Sequence, residues 1–186
     1  MSHFISLGAN LLAGTKEPKE TLLECLTEMR LSGLKVASLS GWYHTPPVPA
    51  SSGDTFVNAA ARIDSHLEPT ELLGALLKIE RLLGRERHQR WGPRSCDLDL
   101  IATEEIVAPS EAEWRRWAEL PPDRQRQESP SELILPHPRL QDRAFVLVPL
   151  ADIAPNWRHP VLGQTVTEML EALPPQAFDG IERIGS

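Results

Sequence analysis

The sequence predicts an α+β fold in which helices pack on a largely antiparallel sheet. Two observations support this prediction: strand-like runs alternate with helix-like runs along the chain, and two of the strands follow each other across a short polar loop. The chain has 186 residues, of which 41% are hydrophobic and 24% charged, a balance typical of a globular domain. We therefore expect a single domain over residues 1–186.

The first part of the chain predicts two strands with a helix between them. Residues 3–8 form a short apolar run that is typical of a buried strand. Pro18 suits the first position of a helix, and Gly33 suits the position after its end. The apolar face of this helix comprises Leu22, Cys25, Leu26 and Met29. Residues 34–43 predict a second strand, which ends at the rigid sequence Thr45-Pro46-Pro47.

A third strand and a second helix follow. Residues 56–63 alternate, and one face of this strand comprises Val57, Ala59, Ala61 and Ile63. The opposite face comprises Phe56, Asn58, Ala60 and Arg62. Because the strand follows the previous one after a polar loop at 50–54, we expect the two to pair antiparallel. Pro69 opens a helix that ends at Gly84 and has an apolar stripe of Leu72, Leu76, Ile79 and Leu83.

A fourth strand completes the predicted core. In residues 95–102, apolar residues alternate with Asp97 and Asp99, so the two carboxylates project from one face of the strand. The resulting order β-α-β-β-α-β is that of a ferredoxin-like core. Further helices are predicted at about 143–151 and 165–173, and we expect them to pack on this core.

Residues 107–131 differ in composition from the rest of the chain. Pro-rich ends enclose a Glu-, Arg- and Trp-containing run at 111–117, which predicts an inserted excursion with a short surface helix. Trp114 and Trp117 either pack within the fold or form a surface for a partner protein, and packing is the favoured interpretation.

The composition restricts the classes of partner. A net charge of −7 disfavours nucleic acid as a general partner. No apolar run approaches the ~20 residues of a membrane span, and the first residues are typical of a strand rather than of a leader. We therefore expect a cytoplasmic protein without a membrane partner. Cys25 and Cys96 are expected to be reduced, partly buried thiols.

The positive charge of this acidic protein is concentrated in one segment. Arginines recur within it at positions Arg81, Arg85, Arg87, Arg90 and Arg94. Arginine grips phosphate oxygens through two parallel hydrogen bonds, so the segment predicts a phosphate-binding site. A solvated run of charge at the end of a helix is the alternative interpretation.

The arginines lead directly into Asp97-Leu98-Asp99. On a strand these two carboxylates lie roughly 6.5–7 Å apart at Cα. Mg²⁺ prefers a few carboxylates together with substrate phosphates, so the pair is suited to share or bridge two Mg²⁺ ions. Arginines beside such a pair supply what triphosphate chemistry requires, although an isolated pair would be an ordinary polar strand face. His137, held between two prolines, is a further candidate phosphate donor.

Several motifs together resemble those of a known family, the 6-hydroxymethyl-7,8-dihydropterin pyrophosphokinases (2-amino-4-hydroxy-6-hydroxymethyldihydropteridine diphosphokinases). The most specific motif is R-W-G-P-R-S-C-D-L-D at 90–99. The others follow in family order up to about residue 155. They are Leu7-Gly8-Ala9-Asn10, Tyr43-His44-Thr45-Pro46-Pro47, Phe56-Val57-Asn58-Ala59-Ala60, Glu80 with Gly84-Arg85, and Pro136-His137 with Arg143 and Phe145.

The resemblance implies an α+β enzyme that uses ATP, two Mg²⁺ ions and a hydroxymethyl-dihydropterin. It implies that Asp97 and Asp99 hold both metal ions between the triphosphate and the substrate hydroxyl. Arg85 and Arg94 match the loop arginines that assist transfer. The residues around the nucleotide would be Glu80, Arg87, Arg90, Trp91, His137 and Arg143.

The resemblance also implies a pterin site. The ring would stack between Phe56 and Phe145, since a flat heteroaromatic ring gains from aromatic neighbours on both faces. The amide of Asn58 would match donors and acceptors on the pterin edge. The remaining residues of this site would be Gly8, Asn10, Thr45, Pro46 and Pro47. Singly, each could be a core or strand-end residue; jointly they favour a ligand site.

The implied reaction is attack of the substrate hydroxyl on the β-phosphorus of ATP, with release of AMP, in folate synthesis. One alternative is another Mg²⁺-dependent enzyme on the same core, a nucleotidyltransferase, which would share Asp97 and Asp99 but release pyrophosphate. The other alternative is a pterin- or nucleotide-binding module without catalysis, in which Arg94 and the two aspartates would not be needed.

Overall fold

The structure, a computed structural model, describes residues 1–10, 16–47, 55–83 and 96–185. Within these ranges the strands are β1 Ser2–Ala9, β2 Lys35–Leu39, β3 Tyr43–Thr45, β4 Phe56–Asp64, β5 Asp97–Thr103 and β6 Glu182–Arg183. The α-helices in the same ranges are α1 Pro18–Leu31, α2 Pro69–Leu82, α3 Glu111–Ala118, α4 Pro122–Gln127, α5 Ala144–Ile153 and α6 Val166–Ala172.

The strands form one sheet in the order β5-β1-β4-β3-β6, and β2 also pairs with β4. The pairings between these strands are antiparallel. β1, α1, β2, β4, α2 and β5 follow the predicted β-α-β-β-α-β order, with the last of these strands beside the first. The prediction of a ferredoxin-like core with a largely antiparallel sheet is therefore confirmed.

The single strand predicted at 34–43 is wrong, because the structure divides it into β2 and β3. At the break, Ser40 N–H donates to the Ala60 carbonyl oxygen at 2.9 Å, and the Ser40 hydroxyl accepts from Ala60 N–H at 2.9 Å. A side chain thus replaces one backbone partner in the ladder. Gly41 N–H then turns to Asp152 Oδ2 at 2.9 Å, which takes the chain out of the strand before Tyr43.

α1 and α2 cover one face of the sheet. Both helices begin with the sequence Glu-Pro, and in each a glutamate in the first turn accepts from the backbone N–H of the residue before the proline. The predicted apolar stripes meet the odd-numbered residues of β1 and β4 in one buried cluster. That cluster includes Ile5, Leu7, Leu22, Met29, Val57, Ile63, Leu72, Leu76, Leu98 and Leu100.

α5 and α6 cover the opposite face. Their buried residues form a second cluster with Phe4, Ala60 and Ile101 of the sheet. The two faces of β4 therefore divide between the two clusters as the alternation predicts.

The inserted excursion folds as α3 and α4. Trp114 and Trp117 are 2% and 8% exposed, and they form a small cluster with Leu120 and Ile134. The favoured interpretation of these tryptophans, packing within the fold, agrees with their burial. α3 begins at Ser110, whose hydroxyl accepts from Glu113 N–H at 3.2 Å.

Both cysteines are free and fully buried. The pKa of the Cys96 thiol is raised by its hydrogen bond to Cys25 and by burial. The two thiols thus connect α1 with the residue that precedes β5. In the part of the chain that the structure describes, no helix combines the length and the hydropathy that crossing a membrane requires.

Candidate active site

The predicted site residues come together because four strand ends meet at one end of the sheet. β1 and β3 run toward that end, whereas β4 and β5 start from it, since all their pairings are antiparallel. In this register Gly8 lies opposite Asn58 on one side and opposite Asp97 on the other. Motifs separated by many residues in the sequence thus become neighbours across three strands.

The predicted carboxylates lie on the same face of β5. Leu98 and Leu100 enter the core under α1 and α2, so Asp97 and Asp99 point to the other face. Asp97 is half-buried opposite Gly8, and Asp99 is exposed opposite Ser6. Both carboxylates can therefore reach solvent or a ligand.

This pair fits a divalent cation that is shared with a ligand. Among the described residues, no group of three or more His, Cys, Asp or Glu side chains is arranged to enclose a metal ion. Two carboxylates on an open strand face provide hard oxygen donors and leave the remaining positions to phosphate and water, which is the donor set that Mg²⁺ prefers.

Glu80, predicted to lie near the nucleotide, is only 1% exposed at the end of α2. Its Oε1 accepts from Leu98 N–H at 2.8 Å. Leu98 separates the two aspartates, so the buried carboxylate holds the backbone of β5 from behind. A carboxylate that accepts a backbone N–H in the core is a strong, short-range restraint.

Asn58 is held by Thr45 of the adjacent strand β3, two residues beyond its register partner Tyr43. Asn58 Nδ2 donates to Thr45 Oγ1 at 2.6 Å, and both residues are buried. The amide oxygen is directed toward Gly8, since a Cβ on Gly8 would lie 2.7 Å from Asn58 Oδ1. Gly8 is therefore a position where any side chain would collide with the amide.

Most of the other predicted pterin residues lie next to strand ends at the same end of the sheet. Asn10 is buried just after β1, and Pro46 and Pro47 follow β3, the first exposed and the second half-buried. Phe56 begins β4, and Phe145 lies in the first turn of α5, on the face that α5 covers. Both rings are half-buried, as rings that present a face to a ligand would be.

His137 and two arginines form a polar cluster beside β5. His137 N–H donates to the Ile101 carbonyl oxygen at 2.6 Å, and His137 Nδ1 accepts from Arg139 N–H at 3.1 Å. His137 as a whole is half-buried, but its ring is shielded from solvent. The pKa of His137 is lowered to about 3, mainly by this burial and to a smaller extent by the charges of Arg143 and Arg139. The ring is therefore neutral at physiological pH, and Asp97 lies close enough to oppose this shift.

Arg139 is a site candidate that the sequence interpretation missed. Burial and the charge of Arg143 lower the pKa of its guanidinium, which shows that two arginines lie close together here. Arg143 in turn lies over the Phe145 ring, 5.6 Å from its centroid. The available signal was two arginines four residues apart after Pro136-His137-Pro138. Without the fold, nothing placed Arg139 beside His137 and Arg143 at the site.

The loop predictions fall outside the described residues. Arg85, Arg87, Arg90, Trp91 and Arg94, together with Gly84, which was expected to end α2, all lie within 84–95.

Residues 4–155 match the family described as 7,8-dihydro-6-hydroxymethylpterin-pyrophosphokinase (HPPK). A 2-amino-4-hydroxy-6-hydroxymethyldihydropteridine pyrophosphokinase from Methylorubrum extorquens is 41% identical over 152 residues, covering 82% of this chain and 80% of the relative. One from Pseudomonas aeruginosa is 37% identical over 182 residues, covering 97% of this chain and 95% of the relative.

The fold is similar to that of a Plasmodium falciparum HPPK-DHPS crystallised with pteroate. The TM-score is 0.71 at 13% identity, and the match covers 100% of this chain and 48% of that one. The match to the family and the two curated relatives agree with each other. The chain therefore belongs to the 7,8-dihydro-6-hydroxymethylpterin-pyrophosphokinase family and is an ATP-dependent pyrophosphokinase.

Proposed function

We propose that this protein transfers the β,γ-diphosphate of ATP to the hydroxymethyl group of 6-hydroxymethyl-7,8-dihydropterin at the sheet end formed by Gly8, Asn58 and Asp97. One observation carries the assignment of this site: Gly8 is paired with Asn58 on one side and with Asp97 on the other. A pterin bound to Asn58 would therefore present its substituent toward the carboxylates. The family membership and the folate-synthesis relatives support this step as part of folate synthesis.

The pterin would be recognised by an amide of fixed orientation. Thr45 accepts the Asn58 Nδ2–H at 2.6 Å, so Asn58 Oδ1 is the atom presented to an N–H donor of the ligand. Phe56 and Phe145 would stack on the two faces of the ring in offset arrangements, which is favourable because large flat apolar surfaces are buried on both sides. The walls would be completed by Asn10, Pro46 and Pro47.

The nucleotide would lie on the β5 side of the pterin. Asp97 and Asp99 would hold the Mg²⁺ ions, two in number by resemblance, and bound Mg²⁺ would supply positive charge to the triphosphate oxygens. His137 would provide a neutral donor near Asp97, and Arg139 and Arg143 would provide two cations beside His137. By resemblance, the nucleotide site also includes Arg87, Arg90 and Trp91, while Arg85 and Arg94 assist transfer.

The reaction needs no protein nucleophile. The substrate hydroxyl oxygen forms a bond to the β-phosphorus as the bond from that phosphorus to the α,β-bridging oxygen breaks, so AMP leaves with the bridging oxygen. The hydroxyl proton is released to solvent. The protein contributes in-line positioning and cationic groups for the charge that develops on the phosphoryl oxygens.

Glu80 fits a positioning role better than a contact with ATP. Its carboxylate is buried and accepts from Leu98 N–H, the backbone group between Asp97 and Asp99. We expect the reaction to take place in the cytoplasm without a nucleic-acid or membrane partner, in keeping with the net charge of −7.

The test is to identify the nucleotide product. Purified protein is incubated with ATP, Mg²⁺ and 6-hydroxymethyl-7,8-dihydropterin, and AMP formation that requires the pterin is the expected result. Asp97→Asn keeps the size of the side chain but removes the charge, and we expect AMP formation to fall by about 10²–10³-fold or more. The matched control is Asp123→Asn, an exposed position on α4.

Other products would contradict the proposal. Release of pyrophosphate would indicate a nucleotidyltransferase, and release of ADP would indicate transfer of a single phosphoryl group. If Asp97→Asn and Asp123→Asn were equally active, the carboxylate of Asp97 would not hold a catalytic metal.

A further inference from the structure

The C-terminal part of the chain lies beyond the family match, which ends at residue 155. Its last segment, residues 178–184, is named the C-terminal clasp below. The clasp contains β6, which pairs with β3 through Tyr43 opposite Arg183 and His44 opposite Glu182. Ile184 N–H donates to the Trp42 carbonyl oxygen at 2.8 Å and extends this pairing. β3 is therefore held by β4 on one side and by the clasp on the other.

The clasp is also attached through a side chain. The Arg183 guanidinium lies over the Tyr43 ring, 5.8 Å from its centroid, and its Nη2 is 3.6 Å from Asp152 Oδ2. Gly41 leaves the room for it, since a Cβ on Gly41 would lie 2.7 Å from Arg183 Nε. The glycine at the break between β2 and β3 thus accommodates the arginine.

Asp152 joins three elements at this point. Its Oδ2 accepts from Gly41 N–H at 2.9 Å and from the Tyr43 hydroxyl at 2.9 Å, in addition to facing Arg183. Asp152 lies near the end of α5, the helix whose first turn carries Phe145. One carboxylate therefore connects β3, the clasp and α5.

The other end of β3 belongs to the proposed pterin site. Thr45 fixes the Asn58 amide at 2.6 Å, and Pro46 follows directly. The clasp runs beside Pro46, since a Cβ on Gly180 would lie 3.5 Å from Pro46 Cδ. Gly180 has φ of +74°, a conformation in which a side chain would be strained.

From these contacts we propose that the C-terminal clasp is a positioning element of the pterin site, with Arg183 as its main side-chain anchor; this inference rests on the proposed function. β3 has only three residues, and a strand of that length at a free edge would have few backbone bonds to hold it. By pairing with β3 and lying against Pro46, the clasp keeps Thr45 within hydrogen-bond distance of the Asn58 amide. In the sheet, β1 and β4 lie between β3 and β5, the strand that carries Asp97 and Asp99.

The first experiment removes the clasp by ending the chain after Ala177. The dissociation constant of the pterin is measured by fluorescence titration in the presence of Mg²⁺ and a non-hydrolysable ATP analogue. That of the ATP analogue alone is measured by calorimetry. We expect the pterin constant to rise about tenfold. The constant for the ATP analogue should stay within about twofold.

A second set of variants keeps the clasp and removes the anchor. Arg183→Ala should raise the pterin constant about threefold to tenfold, and Arg183→Lys should recover part of this loss because it retains the charge near Asp152. Arg115→Ala, which removes a surface ion pair with Glu111 on α3, is the matched control. Hydrogen exchange of residues 43–45 should accelerate in Arg183→Ala and not in Arg115→Ala.

The outcomes separate this inference from the proposed function. A wild-type protein that fails to bind the pterin would overturn the proposed function itself. Wild-type binding with an unchanged pterin constant in both the truncated chain and Arg183→Ala would overturn the positioning role alone. An equal rise in both constants with a large fall in Tm would also overturn it, because the clasp would then stabilise the whole fold rather than the pterin site.

Discussion

The indole N–H of Trp114 donates a hydrogen bond of 2.8 Å to the carbonyl oxygen of Pro136. Pro136 directly precedes His137, so the inserted excursion supports the loop that carries a proposed nucleotide-site residue. A backbone bridge between Ala108 and Leu135 adds to this support. The excursion thus has a structural connection to the active site, although it contributes none of the proposed site residues.

Trp114→Phe tests this connection. Phenylalanine keeps most of the buried apolar area but leaves the Pro136 carbonyl without its donor, which should lower the free energy of unfolding by about 1–3 kcal/mol. Because His137 follows, we expect the KM for ATP to rise and the KM for the pterin to stay unchanged. Trp117→Phe is the control, since the Trp117 indole donates to Glu113 on the same helix. Equal effects of both variants on the KM for ATP would contradict the connection.

Gly8→Ala should damage the pterin site. The new Cβ would lie 2.7 Å from Asn58 Oδ1. The Asn58 amide could move away only by breaking its hydrogen bond to Thr45. We expect a loss of about 1–3 kcal/mol in the free energy of unfolding and a weaker pterin affinity, measured by denaturation and fluorescence titration. Gly74→Ala is the control: nothing lies within 4 Å of its Cβ, so alanine in α2 should stabilise the protein by about 0.5–1 kcal/mol. Unchanged pterin affinity in Gly8→Ala would refute this account of the glycine.

Glu80 can be tested with two substitutions that differ in one property. Glu80→Gln keeps an oxygen that can accept from Leu98 N–H, whereas Glu80→Ala leaves that N–H unsatisfied at a cost of about 1–3 kcal/mol. If Glu80 positions β5, Gln should retain most of the kcat and Ala should lose it, with a higher Mg²⁺ requirement. Equal loss in both variants would show instead that the negative charge is needed, as a direct contact with the nucleotide site would require.

Buried histidines predict an acid-sensitive fold. Burial lowers the pKa of His137 to about 3 and that of His159 to about 4, and it also lowers the pKa of His3. These histidines stay neutral in the folded protein at pH values where they are protonated in the unfolded chain. Their contribution to the free energy of unfolding is therefore full above about pH 6.5 and decreases as the pH drops toward 4. Tm measured from pH 7.5 to pH 5 should therefore decrease.

His159→Asn should flatten this dependence. Its oxygen can replace His159 Nδ1, which accepts from Val161 N–H and Leu162 N–H at 3.2 Å each, but it does not titrate. The exposed His66→Asn variant serves as the comparison, and its pH profile should match that of the wild type. The range stops at pH 5 because burial raises the pKa of Asp142, which acts with the opposite sign at lower pH. An unchanged slope in His159→Asn would exclude His159 as a source of the acid sensitivity.

The sequence by itself determined most of the helices, the sheet faces and the class of reaction. Alternation in 56–63 assigned Asn58 to the face opposite Val57, and the apolar stripe after Pro69 defined α2, because these long periodic runs leave one arrangement that buries their apolar residues. The R-W-G-P-R-S-C-D-L-D run and the spaced motifs pointed to the family that the comparisons confirm. Residue type and spacing were enough, since both carry local information.

Only the tertiary structure decided the features that depend on contacts between distant segments. The break at Ser40 arises because its hydroxyl replaces a ladder partner of Ala60, which no local pattern encodes. β6 has two residues and no periodicity, so only its pairing with β3 defines it as a strand. The sequence suggested that Glu80 lies near the nucleotide, whereas the fold buries its carboxylate in the core, where it accepts from Leu98 N–H. In each case the deciding energy is a hydrogen bond or packing contact formed when chain segments far apart in sequence come together.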